Sequence, residues 1–173
     1  MAWFIPGWGG GLTSEGRLER TLLAETSSLA EELVAEAFSL TSREFRALQY
    51  ELLTEREKFP CTLPDFALAG LVRAENKALH PRKRRDFYFL LLAERKLATL
   101  GRRYSLRALL LYIFTHELIH MVRFARFVAT FWMPWEERIQ EERTVHYLTR
   151  KLLQGSPWEG IQEILSLFDK IYL

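Results

Sequence analysis

Apolar residues recur at helical spacing through most of the chain, and they predict a mainly α protein. The first regular stretch predicts a helix from about 15 to 39, whose glutamates form the solvated face. Thr41 and Glu44 have the spacing of a capping box, which predicts a second helix that extends to about Lys58. A third helix is predicted over residues 64–79.

The stretch that follows Pro81 has two interpretations. It can form a fourth helix that ends at Leu100, with Gly101 as its C-cap. Alternatively, the apolar run at residues 86–92 forms a short β-strand or a small sheet. Near the end of the chain, Ser156-Pro-Trp-Glu159 predicts a capping box for a last apolar helix.

The most apolar helix is predicted from about 106 to 130, because Ser105 is a favourable N-cap and neither Gly nor Pro interrupts this stretch. Charged residues interrupt it too often for a membrane-spanning segment. A second helix, rich in carboxylates, opens with Pro134 at its N1 position and extends to Leu153. The apolar stripe that the first helix turns toward the core consists of Leu109, Ile113, His116, His120 and Phe127.

Two histidines in the first of these helices have the spacing of a metal site. In His116-Glu117-Leu118-Ile119-His120, residues i and i+4 project from the same helical face, so both imidazoles can bind one metal ion. Glu117 then stands beside that ion, as in the H-E-x-x-H pattern of zinc metallopeptidases. The alternative is a pair of core histidines, but a buried carboxylate beside them costs free energy unless it is paired.

A catalytic zinc ion usually has three protein ligands and one open position, so a third ligand is expected from another element. The metzincin pattern is excluded, because Arg123 stands where that pattern requires Gly and Arg126 where it requires the third His. The carboxylate-rich helix offers Glu141 and Glu142, which lie on either side of its apolar stripe. Helical phase alone does not decide which of the two glutamates is the third ligand.

Together, His116-Glu117-x-x-His120 and Glu142-x-x-Val145-His146 resemble the gluzincin arrangement, in which H-E-x-x-H is completed by a glutamate on a following helix. The resemblance covers residues 105–153 and implies a zincin-like helical domain. It also implies one zinc ion with His116, His120 and Glu142 as ligands. His146 stands where the family usually has Asp or Asn, so three roles are open to it: partner of a ligand, transition-state donor or alternative ligand.

These assignments imply hydrolysis of amide bonds in a peptide or protein substrate. Zinc lowers the pKa of bound water and polarises the substrate carbonyl, while Glu117 acts as the general base. The developing oxyanion needs a hydrogen-bond donor. The candidates for that donor are His146, Tyr112, Tyr147 and Tyr104.

Two other classes of protein fit parts of the pattern. A non-catalytic zincin-fold module would retain the metal or bind a protein partner. A di-iron carboxylate bundle would use Glu117-x-x-His120, but such bundles usually need a second E-x-x-H, and this sequence has none. The metal content of the purified protein separates zinc from iron.

Length and composition favour a single domain, 1–173, which is large enough to bury a metal site within 105–153. Cys61 is the only cysteine, so no intramolecular disulfide can form and a cytoplasmic location is expected. Residues 1–14 form an apolar, Gly-rich tail that lacks the basic segment of a signal peptide. Its bulky side chains are expected to dock on the helical core or on a cleft.

The small net charge of +2 is unevenly distributed. Residues 81–126 contain eleven Lys and Arg against three Asp and Glu, which suits an acidic partner or a membrane surface. Nucleic acid is not expected, because no nucleic-acid-binding motif accompanies these residues. Arginines and aromatics also mix as at a membrane interface, although an ordinary helix end is the preferred interpretation. This mixture comprises Arg123, Phe124, Arg126, Phe127, Phe131, Trp132 and Trp135.

Overall fold

The computed structural model describes residues 18–55, 63, 65, 67–74 and 87–172. This part of the chain contains six helices and three strands, which confirms a mainly α fold with a small sheet. The predictions for residues 1–14, for Cys61 and for the start of the basic region lie outside the described residues. In chain order the elements are α1 (Arg20–Ala37), α2 (Ser42–Ala47), β1 (Gln49–Thr54), β2 (Ala69–Ala74), β3 (Phe87–Leu92), α3 (Glu94–Leu100), α4 (Leu106–Ala125), α5 (Trp135–Leu153) and α6 (Ile161–Tyr172).

Helix α4 is the central element of the core. It packs against α1, α3, α5, α6 and strand β2, and most of its residues are buried. Its length and composition alone would allow it to cross a membrane, but 89% of its most apolar window is buried inside the protein. A helix that is apolar on all sides is typical of such a buried position. Ser105 caps it as predicted, because its hydroxyl accepts a hydrogen bond from the Ala108 amide at 3.3 Å.

Helix α1 contributes a narrow stripe of buried residues to the core. Leu23, Thr26, Ala30 and Val34 follow one another at intervals of three or four residues and therefore lie on one face. The Thr26 hydroxyl donates to the carbonyl of Leu22 at 2.6 Å, so its burial leaves no unpaired donor. This face packs against α4, and the small side chains of Thr26 and Ala30 favour a close approach of the two helices.

The three strands form one mixed sheet with the order β1-β3-β2. The central strand β3 is parallel to β1, with Phe87 opposite Gln49, and antiparallel to β2, with Leu92 opposite Ala69. Its continuous apolar run fits a buried strand, which confirms the strand interpretation of residues 86–92. The helix in this region is correspondingly short, over Glu94–Leu100, and Gly101 is its C-cap as predicted.

Two of the predicted helices are wrong over more than half of their described residues. The capping box of Thr41 and Glu44 is confirmed, but the helix that it starts ends at Ala47, and residues 49–54 form β1. The helix predicted over residues 64–79 is replaced by β2 at 69–74. Both segments pair with the apolar strand β3, and this pairing outweighs their weak local preference.

The starts of the last two helices differ from the predicted capping. Pro134 is the N-cap of α5 rather than its N1 residue. Helix α6 begins at Ile161, and the Ser156 hydroxyl has no hydrogen-bond partner, so the predicted capping box is absent. Gly160 directly precedes α6 and has a φ of 81°. A Cβ at this position would lie 2.6 Å from the Cβ of Ser105. Glycine thus allows the start of α6 to lie directly on the start of α4.

Helix α4 ends at Ala125, five residues earlier than predicted, because Phe127 adopts a left-handed conformation with a φ of 55°. The amides of Phe127 and Val128 bond to the carbonyls of Phe124 and Arg123, as in a Schellman motif. Phe127 is 93% exposed, so the prediction that it continues the buried stripe is wrong.

Candidate metal centre

Helix α4 places three of the predicted site residues in the core. His116, Glu117 and His120 are completely buried, each with 0% of its surface exposed. The spacing of four residues brings both imidazoles to the same face of the helix, and their Nε2 atoms are 3.0 Å apart.

Helix α5 supplies the carboxylate that faces these two imidazoles. Glu142 Oε2 lies 3.2 Å from His116 Nε2 and 3.4 Å from His120 Nε2. The helix is held against α4 through a buried stripe that includes Val145 and Thr149. Within the described part of the chain, His116, His120 and Glu142 form a group that could hold a metal ion.

The three donor atoms fit a zinc ion in type and in spacing. Imidazole nitrogen and carboxylate oxygen are both common zinc ligands, and two histidines with one glutamate is a donor set of zinc enzymes. With metal–ligand bonds of about 2.0–2.1 Å, tetrahedral geometry separates two donors by about 3.3 Å. The observed separations of 3.0, 3.2 and 3.4 Å agree with that value.

Comparison with known proteins does not assign the chain to a family. No protein-family model, characterised protein or solved structure matches the chain. The resemblance to gluzincins therefore rests on the site residues themselves.

Glu141 has a different position from Glu142. Its carboxylate accepts two hydrogen bonds from the Arg123 guanidinium, at 2.6 and 2.7 Å, and its Oε1 lies 3.6 Å from His120 Nδ1. Metal-binding histidines commonly have such a carboxylate behind the nitrogen that does not face the metal. The two glutamates that helical phase left open thus lie on opposite sides of His120.

The charges of the site shift the pKa values of its members. Burial opposes the charged form of His120, but Glu142 and Glu141 outweigh that effect and raise its pKa to about 9. Burial lowers the pKa of His116 to about 3, although Glu142 acts in the opposite direction. Burial would raise the pKa of Glu142, yet the two histidines hold it well below its usual value. The carboxylates therefore favour a positive charge at this buried position.

Glu117 lies close to the metal-binding group without belonging to it. Burial is the largest cause of the raised pKa values of Tyr112 and Tyr172, and the negative charge of Glu117 contributes to both. Glu117 also contributes to the raised pKa of His120. Glu117 is thus a buried carboxylate whose charge acts on the residues of the site.

His146 lies in a chain of hydrogen bonds beside the metal-binding group. The Tyr112 hydroxyl is 2.6 Å from His146 Nδ1, and His146 Nε2 is 2.9 Å from Asp169 Oδ1. Because a carboxylate can only accept, Nε2 carries the proton and Nδ1 accepts from the tyrosine. The Arg150 guanidinium donates to the other oxygen of Asp169. Burial lowers the pKa of His146, although Asp169 acts against that shift.

The candidate tyrosines differ in position. Tyr112 is fully buried, and its ring centroid lies 5.9 Å from that of His116. Tyr147 is 60% exposed, and Tyr104 packs under the guanidinium of Arg103 at 5.4 Å. The structure therefore brings only the first of these three tyrosines to the site.

Sequence reasoning missed three residues around the site. Tyr172 stacks on the rings of His116 and His146, with centroid distances of 6.0 and 5.1 Å. Its spacing of four from the buried Phe168 is a signal that helical periodicity offered. Asp169 and Arg123 carried no such signal, because a charged residue on a helix is usually solvated.

Proposed function

We propose that the protein is a zinc-dependent metallohydrolase that cleaves amide bonds in peptides or proteins. The observation that carries the proposal is the convergence of three donor atoms, from His116, His120 and Glu142, within 3.4 Å of one another and beside Glu117. A zinc ion at this position would activate a water molecule and polarise a substrate carbonyl.

Glu117 acts as the general base in this proposal. Its carboxylate takes a proton from the attacking water and passes that proton to the nitrogen of the leaving amine. Its place on α4 directly after His116, in the same buried group of side chains, supports the role.

Two pairs of side chains orient the residues that bind zinc. Glu141, fixed by two hydrogen bonds from Arg123, lies 3.6 Å behind His120 Nδ1, where its charge would favour the orientation of the imidazole toward Glu142. On the other side, His146 fixes the hydroxyl of Tyr112, whose ring lies against His116. The hydrogen bond to Tyr112 supports a role for His146 that acts on the ligand His116 through Tyr112.

A closed metal site that stabilises the fold is the second candidate function. The complete burial of His116, Glu117 and His120 favours it, because a peptide substrate must reach both the metal and the general base. The donor set favours catalysis, because structural zinc sites usually have four protein ligands and catalytic sites three.

Hydrolysis of a peptide library by the zinc-loaded protein distinguishes these candidates. If the protein is a peptidase, the wild type should cleave peptides, and a chelator should abolish cleavage. Glu117→Gln should retain the zinc but slow cleavage by about two or more orders of magnitude, because it lacks the base. A zinc-loaded wild type that cleaves no peptide in the library would instead favour the closed structural site.

A further inference from the structure

Exposed apolar side chains are concentrated where α4 connects to α5. Seven large hydrophobic residues of the described chain are exposed, and five of them lie between residues 127 and 139. Exposed apolar surface of this kind is typical of sites that bind a protein or a membrane. We call these five residues the apolar patch: Phe127, Val128, Trp132, Trp135 and Ile139, with exposed fractions of 93, 61, 78, 67 and 38%.

The connection that carries the patch is anchored to the core. Phe131 packs edge-on against Phe124 with a centroid distance of 5.6 Å, and it also contacts Tyr88 at 6.2 Å. The Thr130 hydroxyl donates to the carbonyl of Trp132 at 3.1 Å, which closes the turn. The aromatic residues near the helix end thus divide into an inward pair, Phe124 and Phe131, and an outward group that belongs to the patch.

The backbone conformation of Phe127 is unfavourable, and burial of its side chain does not offset the strain. Its φ of 55° is a conformation in which glycine or asparagine is usual at the end of a helix. An aromatic side chain there is strained, and at 93% exposure it makes almost no packing contacts that would offset the strain. Sites that break a local rule without a gain in stability are often functional.

The charges around the patch do not suit an anionic partner. Arg126 is paired with Glu44 at 3.0 Å, and Arg123 is paired with Glu141. The first turn of α5 adds two exposed carboxylates next to Trp135, those of Glu136 and Glu137. Arg138 adds one guanidinium between Trp135 and Ile139, so the charges beside the patch nearly cancel and the complementary surface is one without net charge.

We propose that the apolar patch inserts into the interface of a zwitterionic lipid bilayer. Phe127 protrudes from the connection with 93% of its surface exposed, and Trp132, which meets only the edge of Phe131 at 5.1 Å among the described rings, is 78% exposed, as suits side chains that enter a soft medium. Tryptophan is enriched at the level of lipid headgroups, because its ring is apolar and its N–H is polar. This attachment would be driven by apolar burial.

Sedimentation of the full chain with phosphatidylcholine vesicles tests the proposal. The wild type should pellet with the vesicles, and 1 M NaCl, at which the screening length is about 3 Å, should leave binding unchanged. The double variant Phe127→Gly with Trp132→Ser should bind at least about tenfold more weakly, because it lacks two large apolar side chains. Phe127→Gly alone should not lower the Tm, since glycine relieves the left-handed strain.

Tyr147→Ser is the matched control. It removes an exposed aromatic ring that is also on α5 but about 12 Å further along the helix than Ile139. Binding equal to wild type in this variant supports the patch as the attachment site. The proposal is overturned if the wild type does not pellet, if the double variant binds like the wild type, or if binding requires anionic lipid and is lost in high salt. A dimer that sedimentation detects in the wild type and not in the double variant would assign the patch to a second copy and likewise overturn it.

Discussion

At the scale of single residues, two adjacent glutamates on α5 make different contacts. Glu142 points to the Nε2 atoms of His116 and His120, whereas Glu141 lies behind His120 and is held by Arg123. One residue along a helix rotates the side chain by about 100°, which is enough to place the two carboxylates on different sides of one imidazole.

These positions predict different effects of two matched substitutions on zinc affinity. Glu142→Ala removes a ligand and should weaken zinc binding by more than about 100-fold. Glu141→Ala removes only the group that orients His120 and should weaken it by about 10- to 100-fold. Competition with a zinc-sensitive chelator dye measures both constants. Equal affinities for the two variants would contradict the assignment of Glu142 as the ligand.

From the sequence, only those residues of the site that lie close together along the chain could be predicted. His116, Glu117 and His120 lie within one helical turn, so their spacing alone fixes their common face. Asp169 and Tyr172 reach the site from α6, and their contacts with His146 depend on how that helix packs. No short-range pattern encodes such tertiary contacts.

Among the elements, the long helices with apolar residues at regular helical spacing were predicted well. Helix α4 has sixteen buried residues, and its start at Leu106 agrees with the N-cap at Ser105. Strands β1 and β2 were not predicted, because their conformation comes from pairing with β3 and not from their own residues. The early end of α4 was missed for a similar reason, since nothing in its sequence signals a left-handed Phe127.

The contact between the starts of α4 and α6 leads to a prediction about stability. Gly160→Ala would combine a φ of 81° with a Cβ that lies 2.6 Å from Ser105 Cβ, so we expect a loss of about 1–3 kcal/mol in the free energy of unfolding. Gly155→Ala is the control, because a Cβ there meets nothing within 4 Å, and it should change stability by less than about 1 kcal/mol. Thermal unfolding of both variants measures the difference. A similar Tm for the two proteins would show that α6 does not rest on α4 in this way.

At the scale of the whole molecule, the candidate metal site brings together three helices in the core. Glu142 comes from α5, the histidines from α4, and Tyr172 of α6 stacks against His116. Buried carboxylates cost free energy unless a positive charge compensates them. Metal binding should therefore stabilise the folded protein as a unit.

This coupling predicts a Tm that depends on zinc. At a free zinc concentration of about 100 times the dissociation constant, the stabilisation is about 2.7 kcal/mol, which for a chain of this length raises the Tm by roughly 5–10 °C. Removal of zinc by a chelator should reverse the change. His120→Ala should unfold at the same temperature with and without zinc. A wild-type Tm that is independent of zinc would mean that the ion contributes nothing to the fold.

The zinc content of the purified protein tests the central claim most directly. Elemental analysis after exchange into zinc-containing buffer and removal of free metal should give about one zinc ion per wild-type chain, and well below one in His116→Ala and His120→Ala. Circular dichroism of the same samples confirms that the variants are folded. A wild type without zinc, or variants that retain one ion per chain, would contradict a zinc site formed by His116, His120 and Glu142.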